Sequence, residues 1–158
     1  MAAYRFLTTW LLDAPPEPVF DAIHDSAAWP DWWRGVRRAE LLEEGEGEDG
    51  VGRLWDFTWR SRLPYDLSFR LRVTAVERPW RMEGAADGEL VGTGCWRLYR
   101  GGAGTAVTYE WDVSTSRAWM NRLAPVARPA FAWNHDAVMR QGAEGLARRL
   151  GAPLLARS

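Results

Sequence analysis

The feature that most constrains the fold of this chain is a stretch of about 80 residues, beginning at Val36, in which apolar and polar residues alternate. In one segment the apolar parity holds Leu67, Phe69 and Leu71, while Ser68 and Arg70 occupy the other parity. Successive side chains of a strand point to opposite faces of its sheet. The alternation therefore predicts a sheet with one buried face and one solvated face.

Runs of Gly, Pro, Asp, Glu and Ser divide this stretch at the spacing expected of an antiparallel meander. They fall at residues 43–50, 61–64, 77–79, 86–88 and 101–104. A further strand is predicted ahead of the stretch, at residues 4–12, which are rich in aromatic and branched side chains. The sequence thus predicts about seven strands in one sheet.

Helical patterns flank the strands. Residues 16–23 place Val19, Phe20 and Ile23 at helical spacing, and a second short helix or turn is predicted at 29–33. After Ser116 the period is helical again, interrupted by two prolines. We predict a short helical segment at 117–123 and, after a break, a long helix from about 129 to 150. Its apolar stripe contains Phe131, Val138, Gly142, Leu146 and Leu150.

Composition excludes several classes of protein. A net charge of −1 gives no support to a nucleic-acid partner. No run approaches the roughly 18 apolar residues of a transmembrane helix. The single cysteine, Cys95, excludes an internal disulfide framework and favours a reducing, cytoplasmic location. With two histidines besides, the chain predicts no metal site and no cofactor. We expect one domain over residues 1–158, as a monomer or homodimer.

The chain has eleven tryptophans, more indole surface than one covering helix can readily bury. Some rings therefore line a void, face solvent or meet a partner. The aromatic residues that share the buried parity of the strands are candidate ligand-binding residues, and core packing is the alternative for each. They are Trp55, Phe57, Trp59, Tyr65, Phe69, Tyr109 and Trp111.

Three more tryptophans, Trp29, Trp32 and Trp33, lie in the short-helix segment. Their expected role is to anchor that segment to the sheet. The alternative is a gate, or a lip that touches a membrane.

The final helix adds Trp119, Phe131, Asn134 and Val138 to the candidate ligand-binding residues. Asn134, His135 and Asp136 follow one another in the sequence and bring an amide, an imidazole and a carboxylate into one turn. Neighbouring helix positions differ by about 100°, so we expect Asn134 to face inward, His135 to lie at the border and Asp136 to face outward. Asn134, His135 and Tyr65 are weak catalytic candidates, and a polar contact tying the helix down is the alternative.

This order of elements resembles the helix-grip fold of the START-like (SRPBCC) superfamily. The resemblance is carried by PEPVFDAI at 16–23, WPDWWRGV at 29–36, GVG at 50–52, LPY at 63–65, GTGCW at 92–96 and WNHD at 133–136. The chain is similar to bacterial stand-alone members of polyketide cyclase/dehydrase and lipid transport type. The resemblance implies an α+β fold in which a curved antiparallel sheet wraps a long C-terminal helix, with two short helices after the first strand.

The superfamily includes carriers, enzymes and interaction modules, so the fold leaves three functions open. The first is binding of a small hydrophobic molecule, such as a lipid, a polyketide or another aromatic molecule, between sheet and helix. The second is a cyclase, aromatase or dehydratase that uses the same cavity. The third is a protein-interaction module. Ligand pockets ordinarily exceed roughly 300 Å³, and we expect a cavity of that size for the first two functions; its absence would count against them and favour the third.

Overall fold

A computed structural model of the protein describes residues 3–60, 65–102, 104–116 and 118–158. Eight strands form one antiparallel sheet in the order β2-β3-β4-β5-β6-β7-β1-β8. The strands are β1 Ala3–Leu12, β2 Val36–Glu43, β3 Leu54–Trp59, β4 Leu67–Glu77, β5 Arg81–Gly88, β6 Leu90–Gly101, β7 Gly104–Thr115 and β8 Leu154–Arg157. The helices are α1 Pro16–His24, α2 Trp29–Trp32, α3 Ala118–Arg122 and α4 Ala124–Leu150.

The predicted meander is confirmed from β2 to β7, and β1 then pairs with β7 in a continuous register from Ala3 opposite Ser114 to Leu12 opposite Thr105. On β4 the side chains of Leu67 and Phe69 are buried while that of Ser68 between them is exposed. The alternation read from the sequence therefore separates a buried concave face from a solvated face, as expected. The predicted turn at 61–64 lies outside the described residues.

The two short helices after β1 are confirmed, and both are anchored by indole hydrogen bonds. The Nε1 atom of Trp29 donates to the carbonyl oxygen of Ile23 at 3.0 Å, which ties α2 to the end of α1. The Nε1 atom of Trp33 donates to the carbonyl oxygen of Val138 at 2.8 Å, which ties the same segment to α4. A short-helix unit, defined here as residues 16–33, is thereby fixed between the sheet and the long helix.

The long helix begins five residues earlier than predicted, at Ala124, after a break at Leu123. Pro125 lies in the first turn, where its missing N–H needs no intrahelical partner. Pro129 lies inside the helix and removes only one backbone donor, so it does not end the preceding turn. The prediction that the helix starts at 129 was wrong because it treated this proline as a boundary.

The chain continues beyond α4 into a strand that the sequence did not reveal. Gly151 has a left-handed conformation with φ of 62° and ends the helix. Four residues, β8, then pair with β1 and give eight strands rather than about seven. The helix lies against the concave face, where Ala143 and Leu146 are fully buried. The architecture is the expected helix-grip α+β fold.

Candidate functional site

A cavity of about 80 Å³ lies between the concave face of the sheet and α4. The sheet contributes four of the candidate ligand-binding residues to its lining, Trp59, Phe69, Tyr109 and Trp111. The helix contributes three others, Phe131, Asn134 and Val138. The sequence candidates from strands and helix therefore meet at one place.

Aromatic rings form most of the cavity wall. The ring centroids of Trp96 and Tyr109 are 4.1 Å apart and nearly parallel, and the Tyr109 ring continues the stack to Trp111 at 5.8 Å. These rings lie flat on β6 because Gly94 has no side chain there. A Cβ atom on Gly94 would stand 2.7 Å from the Tyr109 hydroxyl oxygen and 2.9 Å from the Trp111 ring. The glycine thus creates the space in which the wall is built.

Six further residues of the lining were not among the sequence candidates. They are Trp29, Trp33, Leu67, Leu90, Trp96 and Met139. Leu90 and Trp96 on β6 follow the same alternation that selected Tyr109 and Trp111. The alternation could therefore have predicted these two residues as well. The indoles of Trp29 and Trp33 reach the cavity from the short-helix unit. No local sequence pattern predicts this contact, because it depends on how the unit packs on the sheet.

Four candidates lie elsewhere or outside the description. Phe57 is buried against the Trp29 ring and Trp55 is buried against Phe57, and neither belongs to the cavity lining. Tyr65 is half-buried and does not belong to the lining. The side chain of Trp119 falls outside the described part of the chain. Of the three aromatic candidates on β3, only Trp59 therefore lines the cavity.

The cavity is smaller than the roughly 300 Å³ expected of a ligand pocket. The physical reason is the short-helix unit, whose indoles fill the concave face. Trp33 is 1% exposed and its ring contacts that of Trp59 edge-on at 4.9 Å. Trp29 and Trp32 are 4% and 7% exposed. These three indoles anchor the unit, as expected, and their burial contradicts the alternative of an exposed lip.

Two polar side chains of α4 line the cavity together, Asn134 and His135. Asn134 is buried, His135 is nearly so, and Asp136 points to solvent, which is the order that the helical geometry predicts. The imidazole of His135 stacks on Phe6 with ring centroids 4.0 Å apart.

Burial lowers the pKa of His135 to about 4. The carboxylate of Asp136 is 3.9 Å from Nδ1, beyond hydrogen-bond distance, and is too exposed to oppose this shift. His135 is therefore a neutral imidazole at pH 7.

Tyr109 on the cavity wall and Cys95 on the other face of the sheet are also held uncharged. Burial raises the pKa of Tyr109 well above its ordinary value, so this residue remains a phenol. On the opposite face of the sheet, burial raises the pKa of the Cys95 thiol, and the charge of Arg97 only partly opposes that shift. A thiol in this state is a packing group rather than a nucleophile.

Among residues 3–60, 65–102, 104–116 and 118–158, no three His, Cys, Asp or Glu side chains lie close enough to share a metal ion. In the same ranges, none of the helices combines the length and the apolar character needed to cross a bilayer.

Comparison with known proteins gives one family. The model of the family described as polyketide cyclase / dehydrase and lipid transport matches residues 5–151. Among curated proteins, none matches the sequence.

Solved structures share the fold at low sequence identity. The Zhui aromatase/cyclase from Streptomyces sp. R1128 superposes with a TM-score of 0.71 at 16% identity, covering 94% of this chain and 92% of that one. The protein TTHA0849 from Thermus thermophilus gives 0.70 at 15% identity, covering 94% and 99%.

The di-domain ARO/CYC StfQ from the steffimycin biosynthetic pathway gives a TM-score of 0.69 at 13% identity. Here 94% of this chain covers 52% of that one, so the chain spans about half the length of this di-domain relative. At these identities the likeness shows a common fold.

Proposed function

The chain belongs to the polyketide cyclase/dehydrase and lipid transport family, and from that premise we propose that it binds a small hydrophobic molecule in the cavity between the sheet and α4. The supporting observation is the cavity itself, which is walled mainly by aromatic rings. Apolar walls with few polar groups are the usual composition of a small-molecule site. Burial of apolar surface supplies the free energy of binding.

Binding requires the cavity to enlarge. The volume of about 80 Å³ is about half of the roughly 150 Å³ of a protein cavity that binds benzene. We infer that Phe131 is the lining side chain that moves, because it is buried while the side chains at 125–130, 132 and 133 beside it are half-buried or exposed. Its ring packs on Tyr4 at 4.4 Å. Displacement of the Phe131 ring toward solvent would join its volume to the cavity.

Titration with N-phenylnaphthylamine, an uncharged dye whose fluorescence rises in apolar surroundings, tests this proposal. We expect the wild-type protein to bind the dye, and Phe131→Leu to bind it more tightly because part of the blocking ring is gone. The matched control is Phe20→Leu, a buried phenylalanine of α1 outside the cavity lining. Tighter binding by the control as well would mean that loosened packing, rather than the cavity, admits the dye.

Native mass spectrometry of the purified protein supplies a second readout. We expect a population that carries a co-purified small molecule and loses it on mild activation. A mass of the bare chain alone, together with no dye response in either the wild type or Phe131→Leu, contradicts the proposal.

An enzymatic role as a cyclase, aromatase or dehydratase is the second candidate, favoured by the position of His135 and Asn134 on the cavity wall. With a pKa of about 4, His135 is a weak base at neutral pH. Catalysis here would depend on confinement of a reactive chain more than on proton transfer. Incubation with a triketide thioester, whose two ketone groups lie at the β and δ carbons, separates the two roles. A binding protein leaves the spontaneous rate of ring closure unchanged, and an enzyme raises it.

We also infer a cytoplasmic setting, because a buried free thiol such as Cys95 suits a reducing compartment.

A further inference from the structure

The lining of the cavity contains no charged side chain within the described part of the chain. Its fourteen residues include neither Asp, Glu, Arg nor Lys. The arginine of α4 that turns toward the sheet, Arg128, donates to the carbonyl oxygen of Ala3 at 2.7 Å and lies over the ring of Tyr4, which is not part of the lining. The lining histidine and tyrosine are uncharged at pH 7. An ionised ligand would therefore enter without a counter-charge.

Two of the lining residues have polar ring atoms that lack hydrogen-bond partners among the described residues. They are the Nε1 atom of Trp59 and both ring nitrogens of His135, all of which are buried. A buried donor without a partner destabilises the folded state by the cost of its lost hydration. A ligand that opens the cavity and presents an oxygen atom to these groups would recover part of that cost. Trp59 can only donate, and neutral His135 donates through one nitrogen and accepts through the other.

We propose, on the basis of the function proposed above, that the ligand of this cavity is an uncharged ring compound that carries a carbonyl or hydroxyl oxygen. A carboxylate of the same shape is excluded, because its hydration is lost on entry and no cation replaces it. The faces of aromatic rings carry partial negative charge and further disfavour an anion. The oxygen is selected by the Trp59 N–H and by the imidazole of His135.

Three ligands of nearly equal shape test the two parts of this inference: ethylbenzene, acetophenone and benzoate. Their binding is measured from the indole N–H signals of a ¹⁵N-labelled protein, where the Trp59 signal reports the cavity and that of Trp80, outside the lining and 43% exposed, reports the surface. We expect acetophenone to bind about threefold to tenfold more tightly than ethylbenzene, the worth of one hydrogen bond. Benzoate is expected to bind at least about a hundredfold more weakly than acetophenone.

The substitution Trp59→Phe removes the N–H and retains an aromatic ring. It is expected to abolish the preference for acetophenone over ethylbenzene while ethylbenzene still binds, as reported in this variant by the Trp33 indole. The matched control, Trp80→Phe, retains the preference. If the Trp59→Phe protein retains the full preference, the oxygen is not selected by this residue and that part of the inference is wrong.

The remaining outcomes separate this inference from the function on which it rests. If benzoate binds as tightly as acetophenone, the uncharged class is wrong and the binding function stands. If phenyltrimethylammonium binds more tightly than acetophenone, the aromatic walls select a cation instead, and the inference is likewise overturned. If no ring compound perturbs the Trp59 signal in the wild type, the proposed binding function fails and the inference fails with it.

Discussion

Acidification is expected to destabilise this protein through one residue, His135. Its imidazole is 11% exposed, stacks on Phe6 and has no hydrogen-bond partner among the described residues. Burial lowers its pKa to about 4, compared with about 6.5 in the unfolded chain. The unfolded state therefore takes up a proton at a higher pH than the folded state does. The contribution of His135 to stability is present in full above pH 6.5 and is lost as the pH falls toward 4.

The magnitude follows from the two pKa values. Between pH 7 and pH 5 the free energy of unfolding should fall by about 1.8 kcal/mol on account of His135 alone. This pH range is chosen because the carboxylates whose pKa values are lowered by ion pairs, Asp21, Glu43 and Glu83, remain ionised throughout it. Their contributions are lost only at lower pH.

Urea unfolding followed by tryptophan fluorescence at pH 7 and pH 5 measures this loss. The variant His135→Phe keeps a ring against Phe6 and cannot be protonated, so we expect its stability to change by less than about 0.5 kcal/mol over the same interval. The control His24→Gln replaces the other histidine, whose Nε2 atom contacts the carbonyl oxygen of Asp49, and retains the contribution of His135. Equal losses in the wild type and in His135→Phe would refute the assignment of a buried, neutral His135.

Two further substitutions and a labelling reaction probe the packing around the site. The variant Gly142→Ala should destabilise the protein by about 1 to 3 kcal/mol in the same urea assay, because its Cβ atom would stand 2.5 Å from the Trp33 ring that is bonded to α4. The variant Gly102→Ala, whose Cβ would meet nothing within 4 Å, should change stability by less than about 0.5 kcal/mol. Cys95 should react with a thiol reagent only at the rate of unfolding, because it is buried and burial raises its pKa; rapid labelling of the folded protein would contradict its placement.

The strands and the short helices could be predicted because their patterns are local. Alternation of period two identifies a buried face whether or not the partner strand is known, and Val19, Phe20 and Ile23 mark the buried side of α1 in the same way. The start of α4 and the existence of β8 are different. A proline in a second turn is tolerated or not according to the packing around it, and a strand of four residues is too short to show a period.

The location of the cavity was predictable for the same reason, and its volume was not. Strand parity and helical spacing are sufficient to bring Tyr109, Trp111 and Asn134 to one cavity. The size of the cavity depends on how deeply the short-helix unit inserts its indoles. Two hydrogen bonds to backbone carbonyl groups hold these indoles in place, from Trp29 to Ile23 and from Trp33 to Val138. Every residue has a backbone carbonyl group, so the sequence does not show which of them will accept these hydrogen bonds.

The burial of His135 bears on the choice between storage and chemistry. Because its imidazole lies against Phe6 on the wall of a small cavity, His135 loses its hydration and with it the ability to act as a base near pH 7. An opening that admitted water along with a ligand would raise the pKa of His135 toward its ordinary value and restore that ability. Binding of an uncharged ring therefore requires a cavity without water, whereas catalysis by His135 requires a cavity that admits water. The pKa of His135 in the presence of acetophenone, read from its imidazole proton shifts, distinguishes them: a value that stays near 4 fits a binding protein, and a rise of about two units fits an enzyme.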